Sequence, residues 1–168
     1  LVGRRGWLVV DESFVDGCKG ISLVAMSSAP GLVILRSLET FFGLAGIRVG
    51  AVFAEPAITD ALAARLGPEA IGAPERHLMA RALKDQRWQD HAVRRLAQDS
   101  ERLDRVLQGA GLPATTGTLL YRCVAFGNAA QVADFLAGQG ILVRHFTNPA
   151  ALRMDLPGDE FEWARLER

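Results

Sequence analysis

Lysine is almost missing from this chain of 168 residues. Lys19 and Lys84 are the only lysines, so nearly all of the 19 Lys+Arg cations are arginines. A guanidinium keeps its proton and cannot act as an amine nucleophile. Covalent amine chemistry therefore has those two side chains, besides the N-terminus. Cysteine is scarce too. Cys18 and Cys123 are too few and too far apart for a disulfide framework or a zinc site, and they read as buried or half-buried thiols. His77, His91 and His145 do not fall at metal-ligand spacing. An excess of either charge is absent, because 19 acids balance 19 cations. That balance removes the electrostatic case for nucleic acid or an anionic membrane as partner. No apolar run approaches the roughly 18 residues of a membrane span. The arginines near the N-terminus are not followed by a signal-peptide core before Asp11. The expectation is a soluble cytoplasmic protein. The first residue is Leu rather than Met, which points to a piece of a longer chain.

What the chain does have is apolar content, 49% of its residues. That excludes disorder by composition and suffices for one domain or two small ones. The first third reads as α/β material. Short apolar runs at 7–10, 32–35 and 47–53 are mostly unalternating, as in strands buried on both faces. In open α/β sheets ligands sit beyond the carboxyl ends of the strands, so Asp11 and Ser37 become site candidates by position. The middle is helical. Pro56 to Leu66 is closed by Gly67–Pro68, Pro74 to about Trp88 follows, and Gln89 to Ala110 is a third helix. Val93, Leu96, Leu103, Val106 and Leu107 make its apolar stripe, and Glu101 and Arg105 form an i,i+4 pair.

The last third changes character. Strands are expected at 119–126, 141–144 and 151–154. Asn128 with Gln131 and Asp159 with Glu162 mark two capping boxes, the second opening a terminal helix that buries Trp163 and Leu166. This β-α-β-β-α order is that of a small α+β domain. Three strands in the first third are a poor sheet for a doubly wound domain, so that part reads as the later portion of a larger one.

The order of motifs is distinctive. A strand ends in Asp11–Glu12–Ser13–Phe14. The run Leu35-Arg36-Ser37-Leu38-Glu39-Thr40-Phe41-Phe42-Gly43-Leu44-Ala45-Gly46-Ile47-Arg48-Val49-Gly50 follows. Gly140-Ile141-Leu142-Val143-Arg144 and Ala151-Leu152-Arg153 come near the end. This resembles the C-terminal half of the fold-type-I pyridoxal-phosphate enzymes, the class I/II aminotransferase-like proteins. Within them it is similar to the branch of histidinol-phosphate aminotransferases and the threonine-phosphate decarboxylases of cobalamin biosynthesis.

The resemblance implies an α/β fold: the C-terminal part of an aminotransferase-like large domain, with a mostly parallel sheet, plus a small α+β domain. The expected division is 1–88 for the partial cofactor-binding domain, 89–111 for a connecting long helix and 112–168 for the small domain. It implies that Asp11 pairs with the pyridine nitrogen of the cofactor, keeping it protonated so that the ring accepts electrons. Phe14 matches an aromatic position where relatives with Tyr hydrogen-bond the ring oxygen, which Phe14 cannot do. Ser37 and Arg48 match the phosphate-binding serine and arginine. Gly43, Gly46 and Gly50 match tight backbone beside the cofactor. Arg153 matches the arginine that clamps the substrate α-carboxylate. The family's Schiff-base lysine falls at Thr40, which cannot form an imine.

The resemblance thus implies pyridoxal phosphate as the family cofactor and an amino acid phosphate as substrate. It also implies a homodimer, or association with a full-length relative. Thr40 predicts that this chain does not by itself catalyse the family's decarboxylation or transamination. The alternative is a non-catalytic binding or partner-docking domain of the same ancestry. A different chemistry built on Glu12, Glu39 or His145 has only loose support in the sequence.

Overall fold

The computed structural model describes residues 6–18 and 20–168, and Lys19 lies outside them. The chain divides into two compact units, Leu1–Gln89 and Asp90–Arg168.

The first unit is built on strands β1 (Leu8–Asp11), β2 (Leu32–Ser37) and β3 (Gly50–Ala54), in the order β1-β2-β3. β1 and β2 run parallel, with Asp11 level with Leu35. β3 is antiparallel to β2, with Ser37 level with Gly50. The connection decides the direction. Parallel strands need a crossover, which the long segment 12–31 provides, whereas the 38–49 loop simply turns back. Leu32, Val33 and Ile34 of β2 are buried with Leu38, Phe41, Phe42 and Val49 of that loop. β1 departs from the expected burial on both faces, for Leu8 is 47% and Val9 57% exposed. Nothing among the described residues pairs with its outer edge.

The third strand is also shorter than the apolar run. Ala45–Ile47 forms a 3-10 turn, and Arg48 takes a left-handed conformation (φ 50°) that no strand can contain, so β3 begins at Gly50. Gly50 has a steric reason to lack a side chain, since a Cβ there would lie 2.8 Å from the Arg36 carbonyl oxygen. Gly43 takes φ 65°, while Gly46 has neither a left-handed backbone nor a close neighbour. The reading of all three glycines as one tight passage therefore narrows to Gly43 and Gly50.

Helix α1 (Pro56–Leu66) starts on its proline and ends at Gly67 as expected. Helix α2 (Ala73–Lys84) stops short of Trp88. The break is at Asp85, whose Oδ1 accepts the Trp88 amide at 3.0 Å and so caps α3 (Gln86–Gly109). Trp88 then stacks on Phe42 with ring centroids 5.8 Å apart and meets Phe41 edge-on at 5.7 Å.

The second unit holds β4 (Thr116–Gly117), β5 (Tyr121–Ala125), β6 (Arg144–Thr147) and β7 (Ala150–Asp155), in the order β4-β5-β7-β6 and antiparallel throughout. One face of this sheet carries Val124, Leu152 and Met154. They share a core with Leu103 and Leu107 of α3, Ala129 of α4 (Ala129–Gly138) and Trp163 of α5 (Glu160–Leu166). Burying one such large apolar side chain contributes roughly 1.5–3 kcal/mol.

The Asp159 cap forms, accepting the Glu162 amide at 2.9 Å, while Glu162 Oε2 accepts the Gly158 amide at 2.6 Å. Asn128 does not cap with its side chain, so that box is not made. The expected strand at 141–144 is displaced to Arg144–Thr147. No ion pair joins Glu101 to Arg105. Arg102 carries the pairing instead, reaching Glu160 and Glu167 at 2.8 Å each while lying over the Trp163 ring.

Candidate functional site

The carboxyl end of the first sheet gathers Asp11, Phe14, Ser37, Thr40 and Arg48. Asp11 closes β1 and Ser37 closes β2, two register positions apart on adjacent strands. Strand spacing and rise put their Cα atoms roughly 8 Å apart. The Asp11 carboxylate is exposed and accepts both the amide of Ser13, at 2.9 Å, and its hydroxyl. Those bonds, the hydroxyl's first, hold the Asp11 carboxyl below its ordinary value against a small opposing effect of burial. Phe14 is half-buried in the turn that follows.

Ser37 Oγ accepts the Glu39 amide at 3.0 Å, which leaves its O–H available to donate. The backbone then folds over, with the Leu38 amide reaching the Val49 carbonyl at 3.3 Å and Gly50 level with Ser37, and this returns the chain at Arg48 to the carboxyl end of β2. Arg48 is exposed and has no hydrogen bond or ion pair among the described residues. It is also the only non-glycine residue among them with positive φ. A left-handed arginine costs of order 1–2 kcal/mol, and such strain is often kept where a side chain must be aimed.

Thr40 is joined to the same place by a side-chain bond. Its Oγ1 donates to the carbonyl of Ser13 at 3.0 Å, so the side chain at position 40 lies against the segment that begins with Asp11.

Glu12 is not a candidate for chemistry. It is 5% exposed, and its carboxylate accepts the Ser22 hydroxyl at 2.8 Å and the Leu23 amide at 2.6 Å. It braces the β1–β2 crossover. Arg36 of β2 does the same from the other side by pairing with Asp16, whose carboxyl is pushed up by burial against the pull of that arginine. Glu39 is half-buried and His145 exposed, and neither makes a side-chain bond that would support acid–base work. Lys84 ends α2.

Arg153 belongs to the second unit. It sits on β7 level with Cys123 of β5 and Arg144 of β6. Its Nη2 donates to Asp155 Oδ2 at 3.1 Å, and its Nε lies 3.0 Å from Asp155 Oδ1. The guanidinium carbon is 5.1 Å from the Tyr121 ring centroid. Burial pushes the neighbouring Cys123 thiol up, against the charge of Arg153. Sequence reading missed Asp155, although a spacing of two on a strand puts it on the face of Arg153. Among the described residues no group of acids, histidines and cysteines could hold a metal ion, and no helix is long and apolar enough to cross a membrane.

A strand-end carboxylate, a hydroxyl and an exposed arginine at the same sheet end, and a second unit with an arginine on its open sheet face define a class. It is an α/β chain of two compact units, the first with polar side chains gathered at its strand ends. The solved structures agree on the fold. Histidinol-phosphate aminotransferase of Sinorhizobium meliloti, in complex with pyridoxal-5'-phosphate, superposes with a TM-score of 0.82 at 21% identity over 96% of this chain and 46% of that one. A decarboxylase from Sulfurospirillum multivorans gives 0.76 at 18% identity over 95% and 51%.

The profile of the family described as aminotransferase class I and II matches residues 1–165, and the chain belongs to that family. Threonine-phosphate decarboxylase of Pseudomonas aeruginosa is 44% identical over 98% of this chain and 50% of its own length. Histidinol-phosphate aminotransferase of Citrifermentans bemidjiense is 30% identical over 89% and 43%. The chain spans about half the length of the curated relatives it matches.

Proposed function

We propose that the chain carries the non-covalent part of a pyridoxal-phosphate site of the threonine-phosphate decarboxylase type, and that it does not catalyse the reaction alone. The observation that carries this reading is the contact of Thr40 with Ser13. It puts the side chain at 40 beside the Asp11 segment, and position 40 is where the resemblance of the motif implies the lysine. A hydroxyl there cannot form an imine or move the substrate's proton as an amine does.

The residues present fit the rest of the group. Arg48, unpartnered among the described residues, and the Ser37 hydroxyl suit a phosphate dianion. Asp11, a carboxylate whose bonds from Ser13 hold its carboxyl below the ordinary value, suits a protonated ring nitrogen. When bound, pyridoxal phosphate supplies an electron sink for a carbanion. Asp11 would hold the proton on the ring nitrogen, Ser37 and Arg48 would anchor the phosphate, and Arg153 would orient the substrate carboxylate. An amino acid phosphate is the substrate class, by likeness to the decarboxylase.

A reversible titration with pyridoxal phosphate tests this. The chain should bind, Arg48→Ala should weaken binding at least tenfold, and borohydride should leave no site-specific adduct. No carbon dioxide should be released from O-phospho-L-threonine. A specific adduct at Lys19 or Lys84, or turnover by the chain alone, would overturn the reading.

A second reading, a non-catalytic domain that docks on a full-length relative, draws support from β1. A strand paired in parallel is normally buried on both faces, yet Trp7, Leu8 and Val9 are exposed. Light scattering with the full-length relative tests it, and an unchanged mass would refute it.

A further inference from the structure

Arg153 does not wait empty-handed. Asp155 Oδ2 accepts a hydrogen bond from the Arg153 Nη2 at 3.1 Å, and Oδ1 lies 3.0 Å from Nε as an ion-pair contact. One charge-assisted hydrogen bond and the attraction of the opposite charges thus keep the carboxylate on the edge of the guanidinium that a carboxylate ligand would use. The two residues lie on one face of β7, and the like-charged Arg144 stands directly opposite Arg153 on β6. Like charges so placed repel, and Asp155 offsets them. The Arg153 side chain is 20% exposed, whereas that of Asp155 is 65% exposed. The arginine is thus held in the sheet surface, by Tyr121 as well, while the aspartate is the partner on the solvent side.

We propose that Asp155 is an internal competitor for the substrate carboxylate, a positioning residue that keeps Arg153 aimed and must leave its fork before a carboxylate ligand can enter. The inference rests on the reading of Arg153 as the carboxylate clamp. It follows that Asp155 sets the affinity threshold of the site. While it is engaged it cancels the charge of Arg153, and a ligand pairs with Arg153 only by doing better than a tethered carboxylate. Asp155 stays in water when released, so the exchange leaves no buried charge behind. An exposed ion pair contributes at most about 1 kcal/mol, so removing the competitor should tighten binding about two- to fivefold.

The test uses the full chain, labelled with nitrogen-15, and O-phospho-L-threonine as probe, followed at the Arg153 Nε–Hε signal. Asp155→Asn should lower the dissociation constant by that factor with the backbone spectrum unchanged, and Asp155→Ser should do the same. Arg153→Lys should abolish the difference, which a merely structural role for Asp155 would not produce. Equal affinity in wild type and both variants overturns the inference and leaves the clamp intact. An Arg153 signal that responds in none of them overturns the clamp reading, and the inference with it.

Discussion

Replacing Glu12 by alanine should loosen the crossover that carries the chain from β1 to β2. The carboxylate is 5% exposed and accepts two bonds, 2.8 Å from the Ser22 hydroxyl and 2.6 Å from the Leu23 amide. Hydrogen bonds to a charged group contribute about 1.5–3 kcal/mol each. The Ser22 hydroxyl also accepts the Val24 amide at 3.2 Å and so keeps one partner. Water entering the vacated space recovers part of the rest. The expected loss is about 2–4 kcal/mol, and about half of that for Glu12→Gln, which keeps the shape and one acceptor. The assay is amide hydrogen exchange read at Leu23, backed by urea unfolding of the whole chain. By the conversion of about 1.4 kcal/mol per tenfold, Leu23 should exchange at least 30-fold faster in the alanine variant. An unchanged Leu23 amide and an unchanged urea midpoint would refute the bracing role. Glu12 would then return as a candidate acid.

Arg48→Gly separates strain from function. Relief of the left-handed conformation offsets the entropy that glycine adds to the unfolded chain, so urea stability should stay within about 0.5 kcal/mol while pyridoxal phosphate affinity falls at least tenfold. A variant that binds as well as wild type would show that the arginine is not aimed at a phosphate. Asp104 predicts an acid limb in the stability of the second unit. Burial pushes its carboxyl up, but hydrogen bonds from Arg122 and Thr115 and the charge of Arg122 more than reverse this, so its folded value is lowered. The sign follows: the stabilisation is complete above the ordinary value of 3.8 and is lost as pH falls through the lower folded value. Asp104→Asn should flatten the thermal stability profile below about pH 4, and an unchanged slope would contradict this.

Much of this was legible in the residues because local rules and tertiary demands agree. Pro56 and Gly67 frame α1, Asp159 caps α5, and three apolar runs become three strands. The motif that suggested the family also gathers Asp11, Ser37, Thr40 and Arg48 at one sheet end. What the sequence hid depends on contacts between distant residues. Asp85 reads as an acid inside the second helix until its bond to the Trp88 amide moves the break from about Trp88 back to Asp85. Glu12 looked like a strand-end acid, and only the return of Ser22 and Leu23 makes it a brace. The exposure of β1 was hidden because an apolar run signals a demand for burial and not whether anything meets it. Asp155 was within reach of alternation, but an aspartate beside an arginine on a strand carries no signature of its own.

The central claim is that position 40 stands where the family's lysine stands. The direct measurement is borohydride reduction of Thr40→Lys and wild-type chains after incubation with pyridoxal phosphate, with the adduct mapped by mass spectrometry. The account predicts a pyridoxyl adduct concentrated at position 40 of the variant, diminished when Arg48→Ala is added, and no comparable site in wild type. Modification of the variant spread evenly over position 40, Lys19 and Lys84, or absent at position 40, would contradict it.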